Sequence, residues 1–77
     1  MMVLSQDRTL LVDVEGVMID PEFSGNIVST STDPVSGFRY FLASYDDEKT
    51  AKHMIKMMSY YIRTTGTRNA VYEFPED

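Results

Sequence analysis

The side chains able to do chemistry are few, and their spacing is poor. His53 is the single histidine and there is no cysteine, so neither a His/Cys metal set nor a thiolate nucleophile can be assembled. A lone histidine in a helical stretch reads as a flank residue rather than a general base. Ser5, Ser36 and Ser59 have no positioned base in the pattern. The four glycines at 16, 25, 37 and 66 are scattered over turns and caps, and none builds a phosphate-cradling loop. Asp13 with Glu15, and Asp20 with Glu22, are i, i+2 carboxylate pairs that each share a strand face. Such pairs can hold Mg²⁺ or Ca²⁺, but neither lies in an EF-hand pattern. Outward strand charges also discourage edge-to-edge aggregation. The expectation is a chain that is not an enzyme and has no catalytic residue, metal or cofactor.

Charge separates along the chain more sharply than the formal net of −5 suggests. Residues 1–48 carry nine acids against Arg8 and Arg39. Residues 49–72 carry Lys49, Lys52, Lys56, Arg63 and Arg68 with no acid, and Glu73, Glu76 and Asp77 close the chain. The surface is therefore dipolar. With 77 residues, 43% hydrophobic and 25% charged, the composition is that of one small folded domain spanning 1–77.

The first 45 residues read as a β-meander. Val3–Ser5 is a short strand with a turn at Asp7-Arg8. In Thr9–Glu15, Leu10, Val12 and Val14 alternate with Leu11, Asp13 and Glu15, the two-residue period of a half-buried strand. Gly16 bends the chain before Val17–Asp20. Turn chemistry over Pro21–Asn26 and Asp33–Gly37 brackets the β-branched stretch Ile27–Thr32 and precedes an aromatic strand, Phe38–Tyr45.

The period then changes over 46–65. Asp46 is the expected N-cap, Gly66 the expected stop, and Ala51, Met54, Ile55, Met58, Tyr61 and Ile62 form the apolar stripe of an amphipathic helix. Lys49, Lys52, Lys56 and Arg63 fall on the opposite side, with His53, Met57 and Tyr60 at the flank. Residues 69–74 alternate again and predict a C-terminal strand. The expected fold is α+β: an antiparallel meander of four to five strands packed by one helix.

Two stretches resemble a family of small uncharacterised proteins carried by phages, prophages and other mobile elements of Gram-positive bacteria. Met2–Arg8 followed by Leu10-Leu11-Val12 is similar to the family's opening, an apolar pair, Ser-Gln-Asp and a basic turn. Leu42–Lys52 is similar to its strand-to-helix junction. The resemblance covers about the first dozen residues and residues 38–62. Ala43-Ser44 stands where Gly-Glu is usual, and residues 64–77 run past the point where many members stop. It implies a small sheet packed by one helix, no established activity, and a mobile-element accessory role.

Two surfaces are candidates for function. Acidic Asp13, Glu15, Asp20 and Glu22 suit a host protein, because clustered carboxylates imitate phosphate spacing; an anti-defence inhibitor such as an anti-CRISPR is the concrete form. The helix residues Lys49, Lys52, Lys56, Met57, Tyr60 and Arg63 suit a partner or, as the alternative, nucleic acid. The acidic half disfavours a long duplex. Met57 and Tyr60, or a sheet edge, suit a homodimer, and a structural homo-oligomeric subunit is a third reading. The start has no basic n-region or long apolar run, and no stretch approaches the ~20 residues that span a bilayer. The expected compartment is the cytoplasm, with no membrane partner.

Overall fold

The chain opens with a hairpin in the computed structural model, which describes residues 1–65 and 71–76. β1 (Met2–Leu4) pairs antiparallel with β2 (Leu11–Asp13), Val3 opposite Val12. Polar side chains build the turn between them. Ser5 Oγ donates to Asp7 Oδ1 (2.8 Å) and accepts the Leu10 N–H (3.1 Å). Asp7 Oδ1 also accepts the Thr9 hydroxyl (2.7 Å) and backbone N–H (3.0 Å). Those bonds, the Thr9 hydroxyl's first, hold the Asp7 carboxyl below its ordinary value of 3.8. Arg8 takes a left-handed φ of 66°, a cost that only surrounding structure can maintain. Its guanidinium supplies that structure: Nη1 donates to the Phe74 carbonyl (2.9 Å) and to that of Ser5 (3.3 Å).

The returning C-terminal strand, β6 (Val71–Glu73), joins the free side of β1 in parallel, with Tyr72 beside Val3. The first sheet is therefore ordered β2-β1-β6. The second sheet is an antiparallel meander of β3 (Val17–Ile19), β4 (Asn26–Thr32) and β5 (Arg39–Ser44). The α+β class expected from the sequence is what forms, with its strands divided between two sheets rather than continuous through one. Gln6 straps the two together. Its N–H donates to the Leu42 carbonyl (2.7 Å) and its Oε1 accepts the Ser44 N–H (2.9 Å). Its Nε2 reaches the carbonyls of Pro75 (3.3 Å) and Glu76 (3.0 Å).

The β4–β5 ladder slips twice. Ile27 faces Ala43 but Val28 faces Phe41, so Leu42 is an extra residue; such a bulge re-aims side chains, and Leu42 and Ala43 are both buried. At the second slip, buried Ser29 accepts the Tyr40 N–H (2.9 Å) and donates to the Ser31 carbonyl (2.6 Å).

The helix, α1 (Glu48–Thr65), begins one residue later than a cap at Asp46 requires. Asp47 is the cap: its Oδ1 accepts the Thr50 N–H (2.8 Å), and its carbonyl accepts the Ala51 N–H (3.1 Å). Hydrogen bonding to Thr50 holds the Asp47 carboxyl below its ordinary value of 3.8. The expected apolar stripe faces inward, with Ala51 and Met58 buried and Met54, Ile55, Tyr61 and Ile62 packed beside them. It lies against β3 and β4. The shared core joins Val3, Val14, Ile27, Leu42, Ala43, Tyr72 and Phe74. Tyr61, Tyr72 and Phe74 meet edge to face, with ring centroids 5.3 and 5.1 Å apart, the geometry that ring quadrupoles favour. Burial raises the Tyr72 hydroxyl above its ordinary range. The expected Gly66 stop and the first residues of the last strand, Asn69 and Ala70, lie outside the described residues.

Two outcomes follow from this packing. A Cβ on Gly25 lands on the Tyr45 carbonyl oxygen, so Gly25→Ala costs about 2 kcal/mol in urea unfolding. Gly37→Ala, at φ 77° with open space around it, costs about 1 kcal/mol. The second outcome concerns acid. Asp7 and Asp47 have lowered folded values, so their contribution is complete above 3.8 and is lost as pH falls through those values. Thermal midpoints should drop on acidification below about pH 4. The Asp7→Asn/Asp47→Asn variant should start lower and drop less.

Candidate functional site

The face of the second sheet turned away from the helix carries the most unusual surface. Met18, Val28 and Phe41 form a cross-strand row over β3, β4 and β5. Val28 and Phe41 lie outside the core cluster that the helix covers. Phe41 is 47% exposed and Phe38, which lines the same groove, 76%. Exposed aromatic residues this close together mark contact surfaces more often than isolated apolar residues do.

Local turn chemistry presents these rings. Asp33 Oδ1 accepts the Val35 N–H (2.8 Å), the Gly37 N–H reaches the Asp33 carbonyl (2.7 Å), and left-handed Gly37 delivers Phe38 beside β5. On the other side, Asp20 Oδ1 accepts the Glu22 N–H (2.9 Å), forming the turn after β3. A groove of about 300 Å³ results, lined by Val28, Phe38 and Phe41 together with Asp20, Glu22 and Arg39.

The four carboxylates singled out from the sequence are not gathered on one surface. Asp20 and Glu22 belong to the aromatic groove. Asp13 and Glu15 lie before β3 rather than after it, and line a second groove of about 640 Å³ with Ser31. There Asp13 Oδ1 accepts the Met1 ammonium at 2.6 Å. Glu15 also borders a smaller apolar crevice of about 180 Å³ between helix and sheet, walled by Val17, Ile55, Met58 and Ile62.

Helix residues Lys49, Lys52, Lys56, Met57, Tyr60 and Arg63 are all exposed on the side facing solvent. Lys52 Nζ lies 3.8 Å from Glu48 one turn earlier. The Tyr60 ring has Lys56 Nζ 5.9 Å and Arg63 Cζ 5.7 Å from its centroid, within cation–π reach. His53 stands exposed on the same helix. Among the described residues, no three of His, Asp and Glu converge as metal ligands, and every buried side-chain N or O has a partner. Also among them, no helix is long and apolar enough to cross a membrane.

Sequence reasoning passed over Phe38 and Phe41. The available signal was the stretch Phe38–Leu42, in which neither parity is polar throughout: Phe38, Tyr40 and Leu42 on one, Phe41 on the other. A strand with one solvated face alternates more cleanly. No family model matches the chain, and no curated protein or solved structure proves similar to it.

If these rings serve contact rather than folding, removing one is cheap. Phe38→Ser should change the free energy of unfolding by less than about 0.5 kcal/mol. Phe74→Ala, at a position with no exposure, should cost about 3–5 kcal/mol in the same denaturant titration.

Proposed function

We propose that the chain is a non-catalytic protein-binding module, and that the open face of the second sheet is its contact surface. The carrying observation is the cluster of exposed phenylalanines around a groove that also presents Asp20 and Glu22. Rings and carboxylates together suit one partner chemistry above others. A guanidinium can stack on Phe38 or Phe41 while its fork pairs with a carboxylate. Arginine-rich surfaces of this kind are those with which proteins grip nucleic acid. A small acidic module seated there blocks that grip, which is the logic of an anti-defence inhibitor. The resemblance of the opening residues and of the strand-to-helix junction to mobile-element proteins supports a host protein as the target. The meeting place is the cytoplasm, where a cysteine-free chain loses nothing to reduction.

The alternative, a nucleic-acid-binding regulator, draws support from the Lys56, Tyr60 and Arg63 arrangement on the helix. It requires binding that weakens steeply with salt. Affinity capture from Gram-positive cell extract separates the two readings. The same host protein should be held by the wild type and by Lys52→Glu/Lys56→Glu. It should be lost with Phe38→Ser/Phe41→Ser and with Asp20→Lys/Glu22→Lys. Retention by both sheet-face variants sinks the module reading at this surface. A salt-sensitive mobility shift abolished by Lys52→Glu/Lys56→Glu supports the regulator instead.

A further inference from the structure

The chain carries both halves of a complementary contact on opposite sides of a thin body. The molecule measures 31 × 30 × 19 Å, with the helix forming one layer and the sheets the other. On the helix side Lys49, Lys52, Lys56 and Arg63 are exposed along one stripe, with half-exposed Met57 beside it and half-exposed Tyr60 within cation–π reach of Lys56 and Arg63. On the sheet side stand Asp20 and Glu22 around exposed Phe38 and Phe41. We propose that the open sheet face of one copy takes the helix stripe of a second copy, so that the chain associates head to tail.

The pairing of groups is specific. Lysine and arginine meet carboxylates and ring faces, the Met57 thioether meets a phenylalanine edge, and Tyr60 meets a second ring. Among the described residues, Arg39 is the one cation lining the groove, and Glu48, exposed and paired with Lys52 on the helix (3.8 Å), is a carboxylate that can be shared with it. Like-with-like contacts are disfavoured: two helix stripes set lysine against lysine, and two sheet faces set carboxylate against carboxylate. The complementary surfaces differ, so the contact is heterologous and builds rings or open chains rather than a closed twofold pair. The inference rests on the proposal that the open face is a contact surface, and adds that self-association and host-protein binding compete for it.

Sedimentation equilibrium of the full chain over a concentration series tests this. The average mass should climb above 8.8 kDa as concentration rises, and added salt should oppose the climb. Asp20→Lys/Glu22→Lys and Lys52→Glu/Lys56→Glu should each weaken association by about a hundredfold. Mixing the two variants should restore it, since each supplies the partner the other has lost. Circular dichroism of both variants confirms that they fold; should either not, Phe41→Ser and Tyr60→Ser replace them in the same series. A wild type that stays at 8.8 kDa throughout, or association that survives Lys52→Glu/Lys56→Glu, overturns the proposal. A constant mass combined with specific capture of a host protein overturns it alone and leaves the module reading standing. Self-association combined with capture indifferent to the sheet-face variants does the reverse.

Discussion

Everything in this fold depends on the polar turn at Ser5–Arg8. Of the six strands among the described residues, β1, β2, β3 and β6 have three residues each and form too few ladder bonds to hold the two sheets together alone. Gln6 and Arg8 make up the difference by reaching two separate segments. Gln6 touches β5 and the chain end at Pro75 and Glu76, and Arg8 grips the Phe74 carbonyl. These bonds keep β6 beside β1, and through β6 Tyr72 and Phe74 reach the core. There they meet Tyr61 from the helix. A small hydrophobic core is thereby closed by a polar clamp whose own strain, at Arg8, is held in place by the segment it secures.

The Ser5-Gln6-Asp7 stretch that stands out in the opening sequence is this same clamp. Each of its residues has a defined place: Ser5 and Asp7 shape the turn, and Gln6 straps the sheets. Its sequence is accounted for by folding rather than by binding. Any partner-specific chemistry is left to surfaces elsewhere, and the open sheet face and the helix stripe are the ones proposed for it.

Much of the architecture was legible because the relevant signals are local. The alternation of Leu10, Val12 and Val14, the helical spacing from Ala51 to Ile62, and the Asp33–Gly37 turn each depend on neighbours a few residues away. What was not legible depends on distant partners. How the two sheets are joined depends on Gln6 reaching Leu42 and Ser44, thirty-odd residues on. The cap fell on Asp47 instead of Asp46 because adjacent acids have the same propensity, and only geometry selects which one meets Thr50. The division of the carboxylate pairs between two grooves came from the chain passing through β3 between them. The aromatic face was hidden by the bulge at Leu42, which breaks the simple parity from which a strand's two sides are read.

The Gln6 strap has a consequence for how the molecule meets others of its kind. β5 is an outer strand of its sheet, and an outer strand normally offers bare amides and carbonyls to any passing chain. Here the Leu42 carbonyl is taken by the Gln6 backbone N–H and the Ser44 amide by the Gln6 carboxamide oxygen, so that this one residue acts as a false neighbouring strand. Backbone zippering at that point of the margin, the route to fibrils, is plugged by a single residue. Such zippering is a contact any peptide could make, whereas the aromatic face of the same sheet offers side chains that discriminate.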